Sequence, residues 1–199
     1  MIEAHFSLHK GDFSLEAEMS DSGMILLTGK NGAGKSTFLL CLLGQRSPDS
    51  GRMALNGREL ADLPTEKRRV AFVNQSTFGP HWDVEKHLIW GAGRIPPDTA
   101  SISDARKGLG IDYGGKVGRL SLGQKIRVAI ATAVLSSPEA LLIDEALSNL
   151  SERLAVLSWL REWSVYSKTD IVYVSQDQSE SNFADHHYVI EEGRMSRKF

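Results

Sequence analysis

Cysteine is nearly absent: Cys41 stands alone among 199 residues, so no internal disulfide can form, which fits a reducing compartment. The thiol lies in an apolar run and reads as a buried structural residue rather than a nucleophile. No window approaches about 18 uninterrupted apolar residues, so no segment is expected to span a membrane. The opening MIEAHFSLHKGDF has acidic and polar residues where a signal peptide needs a long apolar stretch. An excess of one charge is lacking too. Lys and Arg number 23 against 25 Asp and Glu, a net charge of −2 that argues against a general nucleic-acid binder. The one basic run, Lys67-Arg68-Arg69, reads as a solvated turn. Internal repeats and low-complexity tracts are missing. What remains, 41% hydrophobic and 24% charged, is ordinary for a globular chain with one substantial core. Any membrane role must then come through a partner.

Short apolar runs provide the organisation. Ile25 to Thr28, Val70 to Val73, Ala140 to Ile143 and Ile171 to Val174 each read as a buried strand. Each ends in polar residues or glycine: Gly29, Asn74-Gln75, Asp144-Glu145 and Ser175-Gln176-Asp177. Helical patterns are expected at Ser36 to Leu43, Ile126 to Leu135 and Glu152 to Val165. Strands alternating with helices predict an α/β fold with a parallel sheet, whose ligands gather at the carboxyl ends of the strands. Ile2 to Leu8 and Phe13 to Met19 alternate as half-buried antiparallel strands do. Gly51 to Leu55 forms another strand into a tight turn at Asn56-Gly57. From about 79 to 120 the chain is richer in Gly and Pro, including Gly93, Pro96 and Pro97, and reads as a small helical insert.

Gly29-Lys30-Asn31-Gly32-Ala33-Gly34-Lys35-Ser36 satisfies the P-loop pattern at every defined position. Glycines let the backbone curl so that N–H groups point inward at phosphate oxygens, and the following helix adds its positive end. The nucleotide-binding set is therefore Gly29, Asn31, Gly32, Ala33, Gly34, Lys35, Ser36 and Thr37. Lys35 reaches the β/γ-phosphates and the Ser36 hydroxyl ligates Mg²⁺ in this reading. Leu141 to Glu145 reads as a Walker B strand 109 positions on (144 − 35). There Asp144 holds the Mg²⁺ shell and Glu145 orients or deprotonates the attacking water.

Leu120-Ser121-Leu122-Gly123-Gln124 resembles the LSGGQ signature of the ABC ATPase family, with Leu122 in place of the first glycine. Together with the P-loop and Walker B strand, this makes most of the chain similar to that family. The resemblance implies a P-loop NTPase (RecA-like) core with an N-terminal antiparallel β subdomain and a helical insert. The whole chain 1–199 is then a single ABC ATPase domain, with core 1–78 and 136–199 and helical subdomain 79–135. It implies that Ser121, Gly123 and Gln124 bind the γ-phosphate of ATP held on a second subunit, so that the active unit is a dimer. Gln75 looks like the Q-loop glutamine, which contacts the metal and the attacking water and completes a metal set of Ser36, Gln75 and Asp144. Phe13 is the candidate for stacking on adenine, with His9 a weaker alternative and a core role equally open for Phe13. Phe78, Trp82 and Trp90 offer a groove for a permease helix, although small-subdomain aromatics also serve as core. The run Glu66 to Gln75 and the N-terminal strand pair are similar to importer ATPases of the molybdate and sulfate type. Many of these continue into a regulatory β domain after the segment matching Val189 to Arg194.

Three departures bear on turnover. Gln176 stands where the family carries its switch histidine, Ser151 replaces the D-loop aspartate, and Ala146 replaces the proline after the Walker B glutamate. Glutamine can hydrogen-bond a γ-phosphate but carries no proton near neutral pH. The expected catalytic set is Glu145, Gln176 and Gln75, with ATP and Mg²⁺ as cofactors and hydrolysis present but slow. The expected partners are a second ABC ATPase subunit, a homodimer before a heterodimer, and transmembrane permease subunits, with no nucleic acid. The expected location is cytoplasmic, peripheral on the inner face of the cell membrane through the permease. A non-transport ABC ATPase and a nucleotide-dependent regulatory subunit remain alternatives.

Overall fold

The computed structural model describes residues 1–92 and 99–199, with the side chains of 99, 100 and 178 left aside. Gly93, Pro96 and Pro97, read above as part of the insert, lie outside the described residues. The strands are β1 (Ile2–Lys10), β2 (Phe13–Asp21), β3 (Met24–Thr28), β4 (Ser50–Leu55) and β5 (Arg58–Glu59). They continue as β6 (Val70–Val73), β7 (Ala140–Ile143), β8 (Asp170–Val174), β9 (His186–Glu191) and β10 (Arg194–Arg197). They form one sheet in the order β5-β4-β1-β2-β10-β9-β3-β8-β7-β6. The helices are α1 (Lys35–Leu43), α2 (Val84–Gly91), α3 (Thr99–Gly108), α4 (Leu122–Leu135) and α5 (Arg153–Ser167).

The four apolar runs are β3, β6, β7 and β8, and their pairings are all parallel. They alternate strictly between two cores. Leu26, Leu141, Ile143, Ile171 and Tyr173 face the helical side, while Ile25, Leu27, Leu142, Val172 and Val174 face α1 and the antiparallel strands. Burial on both faces is why these runs read as continuously apolar. Helix α1 lies between layers, so its apolar residues circle it: Phe38, Leu39 and Cys41 are fully buried, and Phe38 stacks on Phe6 at 6.0 Å. Burial raises the Cys41 pKa to about 11, consistent with an inert thiol.

The antiparallel strands β5-β4-β1-β2, the N-terminal β subdomain, share one sheet with the parallel strands. The hairpin β9–β10, turning at Glu192-Gly193 with φ of 48° and 74°, welds them to the parallel half. Arg68 is not solvated: it is buried, and its guanidinium donates to Cys41 O (2.8 Å), Leu42 O (3.1 Å) and Leu63 O (2.8 Å). Gly44 N also donates to Cys41 O at 3.1 Å, and Arg68 adds donors for Cys41 O and Leu42 O in the last turn of α1.

Candidate active site

Parallel pairing puts the ends of β3, β6, β7 and β8 on one rim, and everything placed there follows from that. After Thr28 the chain turns at Gly29 with φ of 144°, where an added Cβ would stand 2.3 Å from Ile190 O; only glycine fits. Gly34 caps α1 in the left-handed region at φ 115°, with no side chain capping the helix and no acidic residue in its first turn. The first helical N–H groups are therefore open to an anion. Lys35 is buried inside the loop, its Nζ donating to Gly29 O (2.8 Å) and Lys30 O (3.1 Å) and lying 3.8 Å from Glu145 Oε1. Ser36 is exposed on the rim beside it and Thr37 is half-buried.

Asp144 is tied to the neighbouring strand by its amide, which donates to Val73 O at 2.9 Å. Its carboxylate Oδ1 is buried with no hydrogen-bond partner. An orphaned carboxylate oxygen at the end of a strand, on the rim that also carries the P-loop, is a donor suited to a hard divalent cation and its water. Glu145 follows with φ of 52°, a conformation unusual for a non-glycine residue, and its carbonyl accepts from Ser148 Oγ at 2.8 Å.

Gln75 is exposed in a turn organised by Asn74, whose Oδ1 accepts from Ser76 N (2.8 Å) and Thr77 Oγ1 (2.7 Å). Gln176 donates from Nε2 to Asn31 Oδ1 at 2.9 Å, joining the end of β8 to the P-loop. Asp177 accepts from Ser179 Oγ (2.7 Å) and N (2.9 Å), bonds that hold its carboxyl below the usual range. Phe13 is half-buried against Gly34, where an added Cβ would lie 3.0 Å from the ring. His9 pairs instead with Asp49 at 3.4 Å on the exposed hairpin end.

Ser121 caps α4 in a reciprocal box: Gln124 N donates to Ser121 Oγ (3.2 Å) and Ser121 N to Gln124 Oε1 (3.0 Å). At Gly123 an added Cβ would lie 3.0 Å from Asn149 O, so glycine allows α4 to press on the loop after Glu145. No described hydrogen bond or ion pair of 121–124 reaches residues 29–37, so the rim and the signature form two patches. Trp82 and Trp90 meet edge to face at 5.6 Å with Trp90 exposed, and Phe78 packs on the core.

Sequence reading missed Arg153 and Glu180. Arg153 reaches from α5 to Asp177, and its Nε lies 2.9 Å from the buried carboxylate of Glu180, holding the turn after Gln176. The signal was present as two acids three apart behind a polar strand end. Nothing in the chain pointed to their partner.

The profile of the ABC transporter family matches residues 13–148. The molybdenum import ATP-binding protein ModC of Yersinia pestis is 35% identical over 98% of this chain, and that of Aliivibrio fischeri 34% over 94%. The chain spans only 58% and 54% of those two relatives. A dimeric bacterial ABC transporter cassette superposes with a TM-score of 0.83, covering 99% of this chain and 97% of the other at 20% identity, a likeness of fold. With the P-loop, Asp144-Glu145 and the signature turn placed as described, the chain belongs to the ABC transporter family.

Proposed function

We propose that the chain is the ATP-binding and ATP-hydrolysing subunit of an importer for molybdenum as an oxyanion. The observation carrying the hydrolytic part is the rim on which buried Lys35, the orphaned Asp144 carboxylate and Glu145 converge. The cargo rests on the relatives that are 34–35% identical over nearly the whole chain. Bound ATP–Mg²⁺ supplies the scissile phosphate bond and neutralises charge on the phosphates. The chain's own residues do the rest. Lys35, Ser36 and the open N–H groups of α1 hold the phosphates and metal, with Asp144 and Gln75 completing the metal set. Glu145 orients and deprotonates water, and Gln176 donates a hydrogen bond. Ser121, Gly123 and Gln124 of a second subunit close the site, and Phe13 flanks the base.

Closure and release of two such sites move permease subunits in the membrane, to which this subunit binds peripherally on the cytoplasmic face. Among the described residues no helix is long and apolar enough to cross a membrane, which supports attachment through a permease. The test is phosphate release from purified protein with ATP–Mg²⁺ over a range of protein concentrations. Release should rise faster than linearly with concentration and fall by about 100-fold or more in Glu145→Gln, the loss expected of a general base. Release that is linear, or unchanged in the variant, counts against the proposal.

A further inference from the structure

Helix α2 buries Val84, His87, Leu88 and Gly91, and His87 is the polar member of that stripe. Only 4% of it is exposed, yet both ring nitrogens are engaged. Nε2 accepts the Gly79 N–H at 2.7 Å, and Nδ1 lies 3.3 Å from Thr132 Oγ1, whose hydrogen goes to Val128 O at 2.8 Å. With that hydroxyl hydrogen committed, Nδ1 is the donor and the ring is the neutral Nδ1–H tautomer. Burial likewise holds its pKa below the ordinary histidine value.

Gly79 closes the loop that begins at Gln75. The next residues then pair with the segment leading into the signature. Val117 N donates to Trp82 O, Gly118 N to Pro80 O and Val84 N to Gly115 O, each at 2.9 Å. The pairing is antiparallel, so Gln75 and Ser121 both lie beyond the same end of one hydrogen-bonded strap, the end where Pro80 meets Gly118. At Gly118 an added Cβ would come 2.7 Å from Pro80 O, so the strap is tightly apposed. His87 fastens the Gln75 end of the strap to α4 through Thr132.

We propose that His87 is a positioning residue for Gln75, acting as a neutral acceptor that pins the Gln75 loop and the signature strap to α4. The proposal rests on the hydrolytic reading above. A proton on Nε2 would set two donors, imidazolium N–H and Gly79 N–H, against each other and free the loop. Around the ring, the strap carries His81 and Asp83, both exposed. Helix α2 carries exposed Glu85 and Lys86, with Lys86 over the Trp82 ring at 5.4 Å, and Trp82 itself packs on His87 at 5.3 Å. Helix α4 presents Thr132 to the ring, and its Lys125 lies over Phe78. The pin is therefore intact above the ordinary histidine pKa of about 6.5 and fails as pH falls through the lower folded value.

Two variants separate position from mere packing. His87→Gln places an amide oxygen where Nε2 stands and does not titrate. His87→Phe fills the space without an acceptor. ATP turnover is followed from about pH 5.5 to 8.5, where histidine is the side chain that changes charge. Turnover of the unaltered protein should fall on the acid side. His87→Gln should stay within about threefold of it at high pH and lose that acid fall. His87→Phe should lose about tenfold or more in kcat with KM for ATP within about threefold, the pattern of a lost transition-state contact. Amide exchange at Gly79, read by NMR without nucleotide, should be slow in the unaltered protein and in His87→Gln, and about tenfold faster or more in His87→Phe, as for a lost hydrogen bond.

An acid fall retained in His87→Gln, or full kcat in His87→Phe, overturns the proposal. Absence of turnover in the unaltered protein overturns the hydrolytic reading instead. In that case Gly79 exchange still decides on His87, and equal rates in all three proteins refute it.

Discussion

At the scale of single residues, the telling substitution is Gln176. Its amide reaches Asn31 Oδ1 at 2.9 Å, and the flanking turn is held by Arg153, hydrogen-bonded to Asp177 and ion-paired with Glu180. A glutamine held there donates a hydrogen bond but carries no proton, which removes one titrating group from the site. Gln176→His should therefore raise phosphate release by about 2- to 10-fold, below the full range of acid–base catalysis because Glu145 remains the proposed base. It should also introduce a new inflection near pH 6.5, the ordinary histidine value, with turnover changing as that imidazole titrates. Steady-state rates across pH for both proteins check this, and an unchanged rate and profile would remove Gln176 from the catalytic set.

At the scale of elements, the P-loop, α1 and Arg68 act together. Helix α1 offers open N–H groups at its start, and at its end the Gly44 cap and the buried Arg68 guanidinium serve its carbonyls, Arg68 donating to Cys41 O and Leu42 O and also to Leu63 O. Arg68→Met keeps the buried stem and leaves Leu42 O and Leu63 O without this donor, while Cys41 O retains Gly44 N. It should cost about 3 kcal/mol of stability, the desolvation of unpaired carbonyls. Urea unfolding with constant m-value is the measurement. The same element explains what sequence could convey. The P-loop, the four apolar strands and Ser121 as a helix cap are local patterns, and local patterns carry their own physics. Arg68 looked like part of a charged turn because its partners, Cys41 and Leu42, lie 27 and 26 residues away. The β9–β10 weld and the Arg153 clamp were hidden for the same reason. Long-range pairing leaves no periodicity in the chain. His87 was hidden differently, since a single histidine at helical spacing with Val84, Leu88 and Gly91 shows that a partner is needed but not which one.

At the scale of the molecule, among the described residues no hydrogen bond or ion pair joins the signature turn 121–124 to the P-loop 29–37. Lys35, Asp144 and Glu145 lie on the rim. Ser121 and Leu122 stand exposed at the start of α4, and Leu122 leaves a large apolar side chain 41% exposed there. A leucine so open beside a helix N-terminus is accounted for if a second copy covers it while its ATP faces Ser121. On the proposed reading, Glu145→Gln removes the group that activates water while leaving Lys35, Ser36 and Asp144 to hold nucleotide. With ATP and Mg²⁺, Glu145→Gln should therefore sediment as a dimer at concentrations where the nucleotide-free protein is a monomer. Adding Ser121→Glu should restore the monomer, because a carboxylate would then oppose the triphosphate across the interface at an anion-accepting helix end. Velocity sedimentation of the three samples distinguishes the outcomes. A dimer that persists with Ser121→Glu would mean that the copies associate through another face, and the signature patch would then have to be completed by a different chain.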